Sequence, residues 1–416
     1  MAAPSPIESH NAVPLSARQP VTGWASLDGV QRGLLALVAL RWVIDLLLML
    51  NILPLENRYG WYLHHGGDQE LMLSLARSLL TGAPEESVVG LGQALVMLPW
   101  LLLLKPYNVM EIAAPLVVIN GFVLGGLSVV LVGALARALF DDARVTLGAA
   151  ALWALLPLGA YWAFFWHPES VVLRSTTVPQ LGWLNGLSDA PATFFLLLAT
   201  VLLARLARRP RGAVLPFGTL IAVGASLALA VTFRFHVITM AGFLMLGVWV
   251  LFGWRAFAAA LGAAFIAYLP QACYNQVAFN LPFTTGYISV GDMSAHGGTL
   301  LRPRGDLLGN LWFSPANVLN TFNHFIGQRP WLLVPLVLAL AAGLFVVWQL
   351  RQAHNRAALL LLIGAPLAYL LPMLAAYNFR EDVIRFAIPI LPAALIVAVY
   401  SAARLAPGQG AATHKE

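Results

Sequence analysis

Residues 112–137 read IAAPLVVINGFVLGGLSVVLVGALAR, and no charged side chain occurs in this stretch before Arg137. A helix of about 20 apolar residues crosses the roughly 30 Å hydrocarbon core of a bilayer. A run of this length and purity therefore reads as a membrane-spanning helix. Further apolar runs lie at 33–53, 146–166, 189–206, 215–233, 236–253, 256–272, 331–350, 357–376 and 383–404. They predict an all-α, polytopic transmembrane bundle of about ten spans. Leu91–Leu104 is shorter and contains Pro99, which suits a re-entrant or interfacial helix. A β-barrel would show alternating segments of about ten residues instead.

Composition agrees. The chain has 416 residues, 60% hydrophobic and 10% charged, against about 25% charged in soluble domains. A soluble globular domain, a disordered chain and a nucleic-acid binder are excluded. The net charge of +6 is then read as arginine in cytoplasmic loops. With Cys273 as its single cysteine, the chain forms no internal disulfide and no cysteine metal cage.

Arginine placement orients the spans. Arg205, Arg208, Arg209 and Arg211 follow one span, and Arg351 and Arg356 follow another. With the N-terminus inside and Leu91–Leu104 not crossing, all of these fall on the cytoplasmic side. Residues 1–32 lack the apolar core of a signal peptide and are expected to form a disordered cytoplasmic tail. Residues 33–404 form the membrane domain, with long outer loops at 54–90 and 273–330. Residues 405–416 form a second tail. The same topology exports Asp68, Glu70, Glu169, Asp189, Glu381 and Asp382 among other acids, so chemistry is expected at the outer face.

Asp68 opens an amphipathic stretch reaching Thr81, behind Gly66-Gly67. It is a helix cap or a general base at a water–lipid boundary. Asp189, in Ser188-Asp189-Ala190-Pro191, has the same two readings, with Ser188 or Asp189 as the cap. His64, His65, His167, Asp68 and Glu169 are of the types that ligate a divalent metal, although no tight spacing such as H-x-x-x-H groups them. Arg234 and His236 fall in a short outer turn, where charges this close to the bilayer are functional or snorkelling. Arg385 enters the top of the last span and needs a partner: Asp382, Glu381 or a bound phosphate. Arg41 and Asp45, four apart inside the first span, are expected to neutralise each other.

Several segments resemble those of the membrane-embedded GT-C glycosyltransferases that use polyprenyl-phosphate sugars. Gly67-Asp68-Gln69-Glu70 followed by Leu75–Gly82 is similar to a D-E-x…A-x-x-L-L-x-G stretch. Leu91-Gly92-Gln93-Ala94-Leu95 resembles P-L-G-x-x-L, and Ser188–Pro191 the second acidic motif. Tyr274-Asn275, Phe279–Pro282 and Thr285-Gly286-Tyr287 resemble Y-N-x-x-x-F-G-x-P…T-G-Y. Ile384–Pro392 is similar to R-Y-x-x-P-x-x-P. Gln69 stands where the family has a second acid, Asn280 where it has Gly, and Phe386 where it has Tyr.

The resemblance implies an inverting transferase of a bacterial inner membrane. It moves sugar from a polyprenyl-phosphate donor to a lipid, glycan or protein acceptor at the outer face. Asp68 would be the base. Asp189 or Glu169 would orient hydroxyls, with Glu70, His167 and Arg234 nearby. Arg385 and Arg380, joined by Arg302 or Arg304, would take the phosphate. Trp61, Tyr62, Trp183 and Tyr287 would stack on sugar or sit in the interfacial belt. No cofactor is assigned, a divalent metal is the open alternative, and no nucleic-acid partner is expected. The competing reading is a lipid or polysaccharide transporter or flippase, against which stand the lack of a visible repeat and the scarcity of mid-span charge.

Overall fold

The computed structural model describes residues 27–53, 68–165, 178–209, 214–284, 333–349, 356–376 and 381–405, with a few positions between 319 and 327. Most of the described residues are helical, and no strand occurs among them. Helix α1 (Gly29–Met49) starts four residues before the expected apolar run because Asp28 and Gln31 form a capping box. Then come α2 (Asp68–Thr81), α3 (Leu91–Leu104), α4 (Val109–Phe140) and α5 (Ala143–Phe165). They are followed by α6 (Asp189–Ala207), α7 (Phe217–Phe233) and α8 (Ile238–Phe279). The last helices are α9 (Leu333–Gln349), α10 (Arg356–Ala376) and α11 (Leu391–Leu405), the last preceded by a 3₁₀ segment, Glu381–Ile390.

Among the described residues, five helical runs are long and apolar enough to cross a membrane: Val109–Phe140, Ala143–Ala163, Asp189–Ala207, Phe235–Phe279 and Arg385–Leu405. The expected number of about ten does not emerge at this criterion. Two expected spans, 236–253 and 256–272, lie in one 45-residue run. Gly253, at φ +80°, breaks that run into two helices where an L side chain would be strained. Leu91–Leu104 and Phe217–Phe233 form shorter apolar helices.

Polar side chains buried among these helices hold the fold together. Within α1 the Arg41 Nε–Asp45 Oδ2 pair measures 2.9 Å, with both residues buried. Arg41 also donates to the carbonyls of Trp153 (3.4 Å) and Leu181 (2.7 Å). The pair is thus a three-way tie between α1, α5 and the segment that precedes α6. That segment, residues 178–188, is buried throughout yet ends in irregular backbone, with Trp183 and Gly186 at positive φ. Buried carbonyls without partners are costly. Here Gln69 donates to Asn185 O (2.8 Å), Gln93 to Gly186 O (2.9 Å) and Asn120 to Leu187 O (3.2 Å). Four side chains from α1, α2, α3 and α4 thereby fix the chain that delivers Asp189.

Asn120 lies in a π-helical stretch, Val118–Gly125, rich in glycine. Widening of the helix there leaves Phe122 O to accept the Trp42 indole at 2.7 Å. Two hydrophobic clusters fill the bundle, one around α1–α5 and one around α6–α8 and α10, and α6 contributes to both.

Charged side chains gather at both ends of α6. At its C-terminal end, Arg208 bonds Arg137 O (3.1 Å) and Asp141 (3.2 Å), and Arg137 bonds Asp28 (3.3 Å). Asp189 stands at the other end of a 19-residue helix, about 28 Å away at 1.5 Å per residue.

Candidate active site

At the Asp189 end, two carboxylates meet two guanidinium groups. Asp68 is the first residue of α2, and its Oδ2 accepts from Arg385 Nη2 at 2.7 Å. Asp189 is the first residue of α6, and its Oδ1 lies 2.7 Å from Arg234 Nη1. In the second pair no N–H is aimed at the oxygen well enough for a hydrogen bond, so it is a charge contact of poor alignment. Exposure separates the pairs. The Asp68 and Arg385 side chains keep 32% and 21% of their surface, Asp189 and Arg234 only 3% and 7%. One pair can be reached by a substrate, and the other stands behind it.

Local structure explains each placement. The α7 helix ends at Phe233, and Arg234 leaves it in extended conformation, φ −148° and ψ 107°. The side chain thus turns away from the helix axis. The next turn, Phe235–Val237, starts the following helix and carries His236. Arg385 and Phe386 sit on the 3₁₀ segment before α11. The Phe386 ring has Arg234 Cζ at 4.5 Å and Arg385 Cζ at 5.4 Å from its centroid, and the His236 ring at 5.4 Å. Tyr369 on α10 is fully buried within electrostatic reach of Arg234 and Asp189. Its hydroxyl has no hydrogen-bond partner among the described residues.

Opposed effects act on the Asp68 carboxyl. Burial raises its pKa, but the charges of Arg385 and then Arg234, the Arg385 hydrogen bond and His236 outweigh it. Asp68 is held below the ordinary carboxylate range, hence ionised at neutral pH.

Of the candidates from sequence, the structure brings Asp68, Asp189, Arg234, His236 and Arg385 into one neighbourhood. Glu70 is engaged elsewhere: its Oε1 accepts the Val109 N–H at 3.0 Å and helps cap the start of α4. His64, His65, His167, Glu169, Tyr287, Arg302, Arg304 and Arg380 lie outside the described residues, as do Trp61 and Tyr62.

Several expectations change. Ser188 makes no side-chain cap to α6, and the Asp189 carboxylate faces Arg234 instead. Arg385 pairs with Asp68, 317 residues away, in addition to any neighbour on its own segment. Trp183 is 1% exposed and packs edge-on against Trp153, 6.0 Å between ring centroids. A buried core ring cannot stack on a sugar. Tyr274 ties α8 to the loop before α3, its hydroxyl donating to Glu85 O (2.7 Å) and accepting from Ser87 N (3.1 Å).

Sequence reasoning missed Tyr369, and the amides of Gln93 and Asn120 as supports. The available signal was a lone polar residue inside an apolar run, which a bilayer does not tolerate without a reason. Among the described residues no three His, Cys, Asp or Glu side chains group as a metal site.

No protein-family model matches the chain, and neither does any curated protein. Two solved structures resemble it in fold. The Archaeoglobus fulgidus oligosaccharyltransferase in its apo form has a TM-score of 0.53 at 13% identity, over 92% of this chain and 51% of its own. The oligosaccharyltransferase AglB of the same organism, in complex with an inhibitory peptide and a dolichol-phosphate, has a TM-score of 0.51 at 15% identity, over 90% and 50%. This chain spans about half the length of both. Apolar helices and shared architecture identify the chain as a multi-pass membrane protein with the GT-C fold.

Proposed function

We propose that the chain is an inverting glycosyltransferase that moves a sugar from a polyprenyl-phosphate donor to an acceptor hydroxyl. The observation that carries this reading is the pairing of Asp68 with Arg385 at 2.7 Å in a partly open position, backed by the closed Asp189–Arg234 pair. An acid and a guanidinium side by side are the two groups that displacement of a lipid phosphate requires. The dolichol-phosphate in the AglB complex supports a lipid-linked donor.

In the proposed reaction, the donor phosphate takes the guanidinium of Arg385 by paired N–H bonds. Losing that partner raises the proton affinity of Asp68 and turns a weak base into an effective one. Asp68 accepts the acceptor's hydroxyl proton, and the oxygen attacks the anomeric carbon. The anomeric C–O bond breaks with its electron pair going to the phosphate, which leaves with one more negative charge. Arg385 offsets that charge as it develops. Asp189, enclosed with Arg234, holds that guanidinium in place behind the accessible pair. Asp68 and Asp189 each face a guanidinium group, an arrangement suited to receiving an anion.

Sidedness belongs to the same proposal. Arg137, Arg208 and Arg209 gather at the end of the bundle opposite Asp189. By the positive-inside rule that end is cytoplasmic and the site faces outward, in a bacterial inner membrane. The test is transfer of labelled sugar from polyprenyl phosphate by purified wild-type, Asp68→Asn and Arg385→Ala protein. The variants are expected to lose at least 100-fold in kcat/KM, the range of general-base and charge-stabilising groups. Equal turnover by all three rejects the assignment, and carrier movement across liposomes without transfer favours a flippase.

A further inference from the structure

Phe386 is 5% exposed and carries no charge, yet two cations use its ring. Arg234 Cζ at 4.5 Å and Arg385 Cζ at 5.4 Å are both within the ~6 Å reach of a cation–π contact. The two arginines come from distant elements, the end of α7 and the segment before α11, and each faces a different carboxylate. The ring is their common neighbour, so the two ion pairs are not independent. Like charges brought together repel, and the negative face of an aromatic ring offsets part of that repulsion without offering a hydrogen-bond acceptor that would compete with a ligand.

We propose that Phe386 is a positioning residue that holds Arg234 and Arg385 together as one two-arginine receptor for the phosphate of the lipid-linked donor. The proposal rests on the transferase reading above. The chemistry calls for two cations. The donor is a phosphodiester with one negative charge, and the departing carrier is a phosphomonoester with up to two. The electron pair of the broken anomeric C–O bond stays on phosphate, and the acceptor's proton goes to Asp68. One guanidinium matches the starting charge, and the second meets the charge that appears. Exposure assigns the parts. Arg385 shares the accessible pair and exchanges its carboxylate for phosphate. Arg234, enclosed with Asp189, stays in place and supplies a fixed positive charge.

The test replaces Phe386 in the full-length chain by phenylalanines bearing one, two and three ring fluorines. Fluorine drains the ring face while nearly preserving its shape. Binding of sugar-free polyprenyl phosphate is measured in nanodiscs, with sugar transfer and thermal midpoint beside it. Affinity is expected to fall stepwise to about fivefold weaker with three fluorines, at an unchanged midpoint. Phe386→Trp should bind at least as well as wild type. A flat fluorine series overturns the proposal, because a ring that only fills space would not register fluorination. Graded binding without sugar transfer keeps the receptor and rejects the transferase reading. Normal transfer with a flat series keeps the transferase and rejects the receptor.

Discussion

Asp68 shows how a single residue is set by competing forces. Burial acts to keep its proton on, and the charges of Arg385 and Arg234 act to take it off, with the arginines prevailing. The sign of the linkage follows. A carboxyl whose folded-state pKa lies below its ordinary 3.8 contributes stability that is fully present above that value. The contribution is lost as pH falls through the lowered pKa. Thermal midpoints of wild type and Asp68→Asn, recorded from pH 7 to pH 2.5 in detergent, test this. The wild-type advantage should persist to about pH 4 and decay only below it. A decay centred above pH 5 would mean that burial, not the arginines, governs the group.

At the scale of elements, the site depends on close approach of helices that carry no chemistry. A Cβ on Gly90, just before α3, would run into the carbonyl oxygen of Thr232, two residues before Arg234. Glycine is required there by space. Gly90→Ala should lower the thermal midpoint by the equivalent of about 1–3 kcal/mol, and should reduce sugar transfer because the end of α7 must shift. Gly159→Ala, whose Cβ would meet nothing within 4 Å, is the control and should change neither. An unaltered midpoint and rate for Gly90→Ala would show that the end of α7 yields freely.

The same scale explains what could be read in advance. Arg41 and Asp45 are four residues apart, so helical periodicity alone pairs them, and they form a 2.9 Å bond. The amphipathic period from Asp68 to Thr81 likewise forms α2 over those residues. The partner of Arg385 was not legible, because Asp68 lies 317 residues away and no local period links the two. Trp183 was misread for a related reason. Its buried setting comes from four helices bonding the carbonyls of one irregular segment, and that arrangement exists only after folding.

At the scale of the whole molecule, the two ends of the bundle differ in charge and therefore in their preference for a side of the membrane. One end carries Arg137, Arg208 and Arg209 around Asp28 and Asp141. The other carries charge-balanced pairs. Moving arginines across a bilayer is costly, so the proposed orientation keeps the basic end in the cytoplasm. Cys273 is the single cysteine, so a Cys273→Ser background offers no competing thiol. Glu86, in the exposed loop before α3, and Asp141, at the arginine end, are each replaced by cysteine. In intact cells a membrane-impermeant maleimide should label Glu86→Cys and spare Asp141→Cys until the membrane is opened. The reverse pattern would place the Asp68–Arg385 pair on the cytoplasmic side. A donor presented from outside would then have no path to it, and the direction of transfer would have to be inverted.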